Sequence, residues 1–251
     1  MRKNSPKARK LADIMLSLLV LMGTLSLAWI GLSSTRAVPA SAVPDSLFGA
    51  IPEDACVILI DAGHGGFDGG AVGEETGVIE AELNLSIAKL LADELTRKGF
   101  YVVMTRTDDR ALGDTKRADM EARRELMQSE RIDAVVSIHI NKFRDRSVSG
   151  PMVFYMKGSD SGKALAETVI YSLCEHVGRP QRYANPEDLF VLRVPKAPSV
   201  LIECGFLSNA SDEAQLITEA YQRKLAEGAA EGIANYFAQI KTGGTDQTCR
   251  R

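Results

Sequence analysis

The sequence predicts an α/β fold: one domain on a mainly parallel, twisted sheet with helices on both faces, preceded by an N-terminal membrane-targeting helix. Two observations carry this. Apolar runs of strand length alternate with stretches of helical period, the pattern of strands joined by helical crossovers. The runs are also continuously apolar, as in strands buried on both faces, rather than alternating as in a half-exposed sheet. With 251 residues, 45% of them hydrophobic, the chain can bury one substantial core rather than two.

The first segment lies outside that core. Arg2, Lys3, Lys7, Arg9 and Lys10 precede an uncharged stretch from Ile14 to Thr35, long enough for the roughly 20 residues that cross a bilayer as a helix. Residues 1–36 therefore read as a signal anchor with its basic end in the cytoplasm, a membrane attachment that leaves the rest of the chain extracytoplasmic. Ala40-Ser41-Ala42 offers the alternative of a cleaved signal peptide. Residues 37–54, with prolines, alanines and serines and little periodicity, read as a linker. The catalytic-size domain is expected over 55–240 and a flexible tail over 241–251.

Beyond residue 36 the chain keeps 24 Lys/Arg against 32 Asp/Glu. That acidic balance argues against nucleic acid as a partner and leaves recognition to a specific groove or to another protein. The four cysteines, Cys56, Cys174, Cys204 and Cys249, form no CxxC pattern. Cys56 and Cys204 sit in apolar runs, where a buried free thiol is the ordinary outcome, with a disulfide as the lesser alternative.

Cys56 to Ile60 is the first expected strand, followed by a Gly-rich loop. A helix then places Leu83, Ile87, Leu90, Leu91 and Leu95 on one face, closed by Gly99. Tyr101 to Thr105 is a second strand, Thr115 to Ser129 a charged helix, and Ala134 to Ile138 a third strand. Met152 to Met156 follows as a strand, Ser161 to Glu175 as a helix, Ser199 to Ile202 as a strand, and Ser211 to Gln239 as helical.

Open α/β sheets bind ligands beyond the carboxyl ends of their strands. Polar residues stand there in this chain: His64 after the first strand, His139 at the end of the third, and Glu203 at the end of a later one, while Glu80 opens the first helix. Two imidazoles and a carboxylate, with a fourth position left to water, make a hydrolytic zinc site. A further carboxylate outside that shell can move the proton between water and leaving group, and Glu203 fits the role. Singly each signal is weak, since a His in a Gly loop is often a turn residue and a Glu at a helix start often only favours the dipole. His176, the remaining histidine, reads as a boundary residue near a helix end. Arg106, Asn141 and Arg123 are candidates for substrate or supporting contacts, although an arginine placed like Arg123 within a charged helix is more often a solvated ion pair.

At these residues the sequence resembles the zinc-dependent N-acetylmuramoyl-L-alanine amidases of the Amidase_3 family, from about Val57 to Phe237. The likeness rests on Asp61-Ala62-Gly63-His64-Gly65-Gly66 with Asp68, Gly77-Val78-Ile79-Glu80, Thr105-Arg106, Ser137-Ile138-His139-Ile140-Asn141 and Pro198 through Asn209. The resemblance implies Zn2+ held by His64, Glu80 and His139, Glu203 as catalytic acid/base, and peptidoglycan as substrate. Ala62, Ala81 and Gln128 depart from the usual proline, lysine and asparagine without touching those four positions. The short intervals after His64 and His139 leave no room for an inserted regulatory helix, which implies an open site. The compact size resembles the CwlD-type subgroup of the spore cortex and implies action at the cell wall or in the spore intermembrane space, with an activating partner protein as a further implication. A zinc peptidase acting within the stem peptide and a non-catalytic peptidoglycan-binding module are the alternatives.

Overall fold

The computed structural model describes residues 51–242 apart from residue 53. The expected targeting segment 1–36 lies outside the described residues, as do most of the linker and of the tail. Among the described residues no helix is long and apolar enough to cross a membrane. The elements run β1 (Val57–Ala62), α1 (Glu80–Arg97), β2 (Tyr101–Met104), α2 (Lys116–Met127), β3 (Ala134–Asn141), β4 (Met152–Met156), α3 (Asp160–Val177), β5 (Asn185–Glu187), α4 (Phe190–Arg193), β6 (Ser199–Phe206), α5 (Ala210–Leu216) and α6 (Glu219–Thr242).

Six strands form one sheet in the order β2-β1-β3-β6-β4-β5. β1 pairs in parallel with β2 and β3, β3 with β6, and β4 with β5, whereas β4 runs antiparallel to β6. Both faces are covered. Ile58, Ile60, Val136, Ile138, Val200 and Ile202 pack under α1, α3 and α6. Their neighbours Val57, Leu59, Val135 and Leu201 pack against Leu126 and Met127 of α2 and Val191 and Leu192 of α4. Strands buried on both faces carry no polar alternation, which is why the apolar runs are continuous.

The helix ends follow local chemistry. The side chains of Thr115 and Ser159 accept from the N–H groups of Ala118 and Gly162 to start α2 and α3, and Gly99 at φ 89° takes the chain out of α1. Two glycines inside α6 allow it to lie close on α3: a Cβ on Gly232 would stand 2.5 Å from Val169 Cα, and one on Gly228 3.0 Å from Leu173 Cα.

The sheet is mainly parallel, as expected, but mixed. The connection from β3 to β4 carries no crossover helix, and β4 enters antiparallel to β6. β5 and α4 had no counterpart in the sequence reading, and the expected helix over 211–239 is two helices. The Thr218 hydroxyl accepts from Tyr221 N–H at 3.4 Å where α6 begins. Cys56, expected as a free thiol, is disulfide-bonded. It stands at the rim of the sheet, one residue before β1, rather than inside it. Cys174 and Cys204 are free and buried.

Candidate metal centre

β1, β3 and β6 are parallel neighbours, so their carboxyl ends open on the same edge of the sheet. His139 stands directly opposite Glu203 in the β3–β6 pair, and the register shifts by one residue immediately after, between His139 and Asn141. Such bulges end regular pairing and re-aim side chains beside active sites. His64 follows β1 in a loop of Gly63, Gly65 and Gly66 and takes φ 61°, the positive-φ non-glycine among the described residues. A side chain held there needs support from its surroundings.

That support comes from two buried arginines. Arg123, 2% exposed, donates to the carbonyl of His64 at 2.6 Å, to that of Ala62 at 3.0 Å, to Asp61 Oδ1 at 2.5 Å and to Asp119 Oδ2 at 2.8 Å. Asp61 also accepts from Thr105 Oγ1 at 3.0 Å and Ser137 Oγ at 2.7 Å. Burial alone would raise the Asp61 pKa, but Arg123 and the Ser137 hydroxyl hold it below the usual carboxylate value. Arg106 donates to the carbonyls of Ala62, Gly63, Ala81 and Asp108 at 2.7–2.9 Å. The solvated ion pair suggested for Arg123 is thus a buried brace. Arg106, offered as a substrate contact, is 5% exposed and spends its guanidinium on backbone carbonyls. Asn141 lies at the end of β3, half-buried, with a side chain that makes no hydrogen bond among the described residues.

The three expected donors converge. Glu80 Oε1 lies 3.2 Å from His64 Nε2 and 3.0 Å from His139 Nδ1, and the three residues each bring a ligand atom within 4.8 Å of the other two. Tetrahedral zinc with bonds of 2.0–2.1 Å sets its donors roughly 3.3–3.4 Å apart, so the set fits such an ion. His64 Nδ1 faces Asp68 Oδ1 at 3.1 Å, the outer carboxylate that fixes tautomer and ring orientation in metal-binding histidines. The hydrogen bond to Glu80 raises the His64 pKa against the opposing effect of burial. Glu80, at the first residue of α1, is favoured as an anion by the helix dipole. Its Oε2 accepts from Ala71 N–H at 2.7 Å, and its Oε1 from Asn84 Nδ2 and Ile140 N–H at 3.2 Å. Burial opposes ionisation of Glu80, but the hydrogen bonds to His139 and His64 outweigh it and drive the pKa far down.

Two glycines leave room for this set. A Cβ on Gly63 would lie 2.3 Å from His139 Cε1 and Nε2, and one on Gly70 2.5 Å from Glu80 Oε2.

Glu203 differs from Glu80. Its Oε2 is buried with no hydrogen-bond partner among the described residues, and burial pushes its pKa up to about 7 while His139 pulls the other way. A carboxylate oxygen left without a partner beside this donor cluster can hold or release a proton. His176 is half-buried and its Nδ1 meets the Ser172 carbonyl at 2.9 Å, away from the cluster.

Several supporting residues escaped the sequence reading. Glu213, buried on α5, accepts from the N–H groups of Glu74, Glu75 and Thr76 and from Thr76 Oγ1, fixing the loop that leads into Glu80. Asp212 accepts from Phe206 N–H at 3.1 Å, Gly150 N–H at 2.6 Å and Arg179 Nη2 at 2.7 Å, fixing the end of β6. Asp61 carried a usable signal, a carboxylate within a buried strand end; Glu213 and Asp212 carried none.

Comparison with known proteins gives the family of the chain. The Amidase_3 family, described as N-acetylmuramoyl-L-alanine amidase, matches residues 58–235. The protein YqiI of Bacillus subtilis is 33% identical over 85% of this chain and 97% of its own length. The germination-specific N-acetylmuramoyl-L-alanine amidase of the same organism is 30% identical over 76% of this chain and 83% of its own. A solved structure of the CwlD amidase of Clostridioides difficile in complex with the GerS lipoprotein superposes with a TM-score of 0.70 at 34% identity, covering 73% of this chain and 98% of that one. The chain belongs to the Amidase_3 family of N-acetylmuramoyl-L-alanine amidases.

Proposed function

We propose that the protein is an extracytoplasmic zinc-dependent amidase that hydrolyses the bond between the lactyl group of N-acetylmuramic acid and the L-alanine of the peptidoglycan stem peptide. His64, Glu80 and His139 hold the zinc and Glu203 is the acid/base. The observation that carries this reading is the unpartnered, buried Glu203 oxygen set one strand from the donor cluster. When bound, zinc supplies Lewis-acid chemistry, lowering the pKa of water and polarising a carbonyl oxygen.

The residues of the chain do the rest. Glu203, with its pKa raised to about 7, accepts the proton of the attacking water and returns it to the departing L-alanine nitrogen. Asp68 holds the His64 ring, while Arg123 and Arg106 hold the loop that carries it. A binding module has no use for an orphaned carboxylate at this point, since burying one is costly.

The likeness to a germination-specific amidase and to a CwlD amidase supports a place in spore cortex maturation. The lipoprotein bound to that neighbour supports an activating partner protein here.

The test is chemical. The purified full chain is incubated with peptidoglycan, with zinc or with chelator, and the soluble products are identified by mass spectrometry. Stem peptides with a free L-alanine amine, released with metal only, are the expected products. Cuts within the peptide would replace this reading by that of a zinc peptidase.

A further inference from the structure

The large exposed apolar side chains among the described residues include two tyrosines, Tyr171 at 59% and Tyr183 at 91% exposure. Both line one cavity of about 370 Å3, together with Ile170, Gln181, Arg182 and Glu167. Gln181 Nε2 donates to the Tyr171 carbonyl at 3.3 Å, and Arg182 Nη2 to that of Ser149 at 2.5 Å, which ties both side chains to neighbouring backbone. Nothing in the metal centre uses these residues.

Their position follows from the sheet. Phe154 of β4 is opposite Leu201 on one side and Asn185 on the other. Two positions toward the open edge stand Glu203, its partner Met152 and, just before β5, Tyr183. Two strand spacings of 4.7–4.9 Å separate β6 from β5, which puts the Tyr183 backbone roughly 10 Å from that of Glu203. That spacing is within the reach of one or two units of a polymer whose scissile bond sits at Glu203. Tyr171 stands beside the segment 181–184 that leads into β5, its carbonyl bonded by Gln181.

We propose that Tyr171 and Tyr183 form a glycan subsite, which takes the sugar rings of the peptidoglycan strand flanking the muramic acid at the metal centre. This rests on the amidase reading and extends it. A sugar ring offers an apolar face bordered by hydroxyl and amide groups, and the cavity lining holds both kinds of complement: two aromatic side chains and the polar side chains of Gln181, Glu167 and Arg182. A volume of about 370 Å3 suits a small, partly polar ligand. It is too confined for the roughly 800 Å2 that a stable protein partner covers.

The experiment titrates the zinc-loaded full chain with peptide-free N-acetylglucosamine–N-acetylmuramic acid oligosaccharides by calorimetry. In parallel it compares kcat and KM on peptidoglycan and on a single disaccharide-peptide. The expected result is at least tenfold weaker oligosaccharide binding in Tyr171→Ala/Tyr183→Ala, recovery in Tyr183→Trp, and a loss, through KM, of the preference for long substrate over short. Equal binding by wild type and double variant would overturn the proposal, as would an effect equally large on the single disaccharide-peptide. So would loss of binding to free stem peptide with glycan binding intact. If the wild type releases no stem peptides, the amidase reading fails on its own and the oligosaccharide titration still decides the subsite.

Discussion

The Arg123 guanidinium donates to the carbonyl oxygen of His64 at 2.6 Å while paired with Asp61 at 2.5 Å. A buried ion pair thus grips the backbone of a proposed metal ligand held at φ 61°. Removing one member of a buried pair strands its partner at a cost of about 3–5 kcal/mol. Arg123→Met should therefore lower unfolding stability by that order, read by urea denaturation. Arg123→Lys keeps the charge but cannot span Asp61, Asp119 and two carbonyls, and should weaken zinc binding more than it weakens the fold. Competition with a chromogenic chelator measures the difference.

Asp68→Asn keeps the shape of the side chain facing His64 Nδ1 at 3.1 Å but removes its charge. Loss of such an outer partner typically costs about 10–100-fold in metal affinity or activity, and the chelator titration should show a fall in that range. An unchanged affinity would mean that Asp68 does not orient the ring.

Gly63→Ala places a methyl group 2.3 Å from the His139 ring. The ring must move, and the expected outcome is a folded protein that binds zinc poorly. Far-ultraviolet circular dichroism unchanged from wild type, together with metal analysis below one zinc per chain, would show it.

Glu213 predicts an acid sensitivity. Burial would raise its pKa, yet the bonds from Thr76 Oγ1 and the N–H groups of Glu75 and Thr76 hold it below the usual 4.5. A carboxylate depressed on folding contributes stability above its unfolded pKa and loses that contribution as pH falls through the folded value. Wild-type stability should therefore drop below about pH 4.5, and Glu213→Gln should drop less steeply. At neutral pH that variant should already be less stable by about 2 kcal/mol, since a charge-assisted acceptor is lost. Denaturant melts across pH separate the two.

The centre was legible in the sequence to the extent that it depends on strand ends. His139 and Glu203 interrupt apolar runs that both faces of the sheet bury, and polar residues in such places are few. Arg123 was harder: Asp119 and Arg123 at i,i+4 look alike on a solvated helix face and under a loop, and only the tertiary fold buries them. β5, Asn185 to Glu187, is a three-residue edge strand containing a proline and carries no periodicity to read. The reversal of β4 was hidden because the strand end read at Ile138 leaves thirteen residues before Met152, whereas β3 runs on to Asn141 and leaves only ten, 142–151, too short for the usual parallel crossover. The division between α5 and α6 was hidden because Leu216 and Ile217 continue the apolar pattern across it.

The most direct measurement is made on Glu203→Gln, zinc content and turnover being determined on the same preparation. Glu203 lies outside the donor cluster, so the variant should bind zinc as tightly as wild type while stem-peptide release falls by about 10²–10⁴-fold. Turnover near the wild-type rate with zinc bound would contradict the assignment of Glu203 as the group that moves the proton.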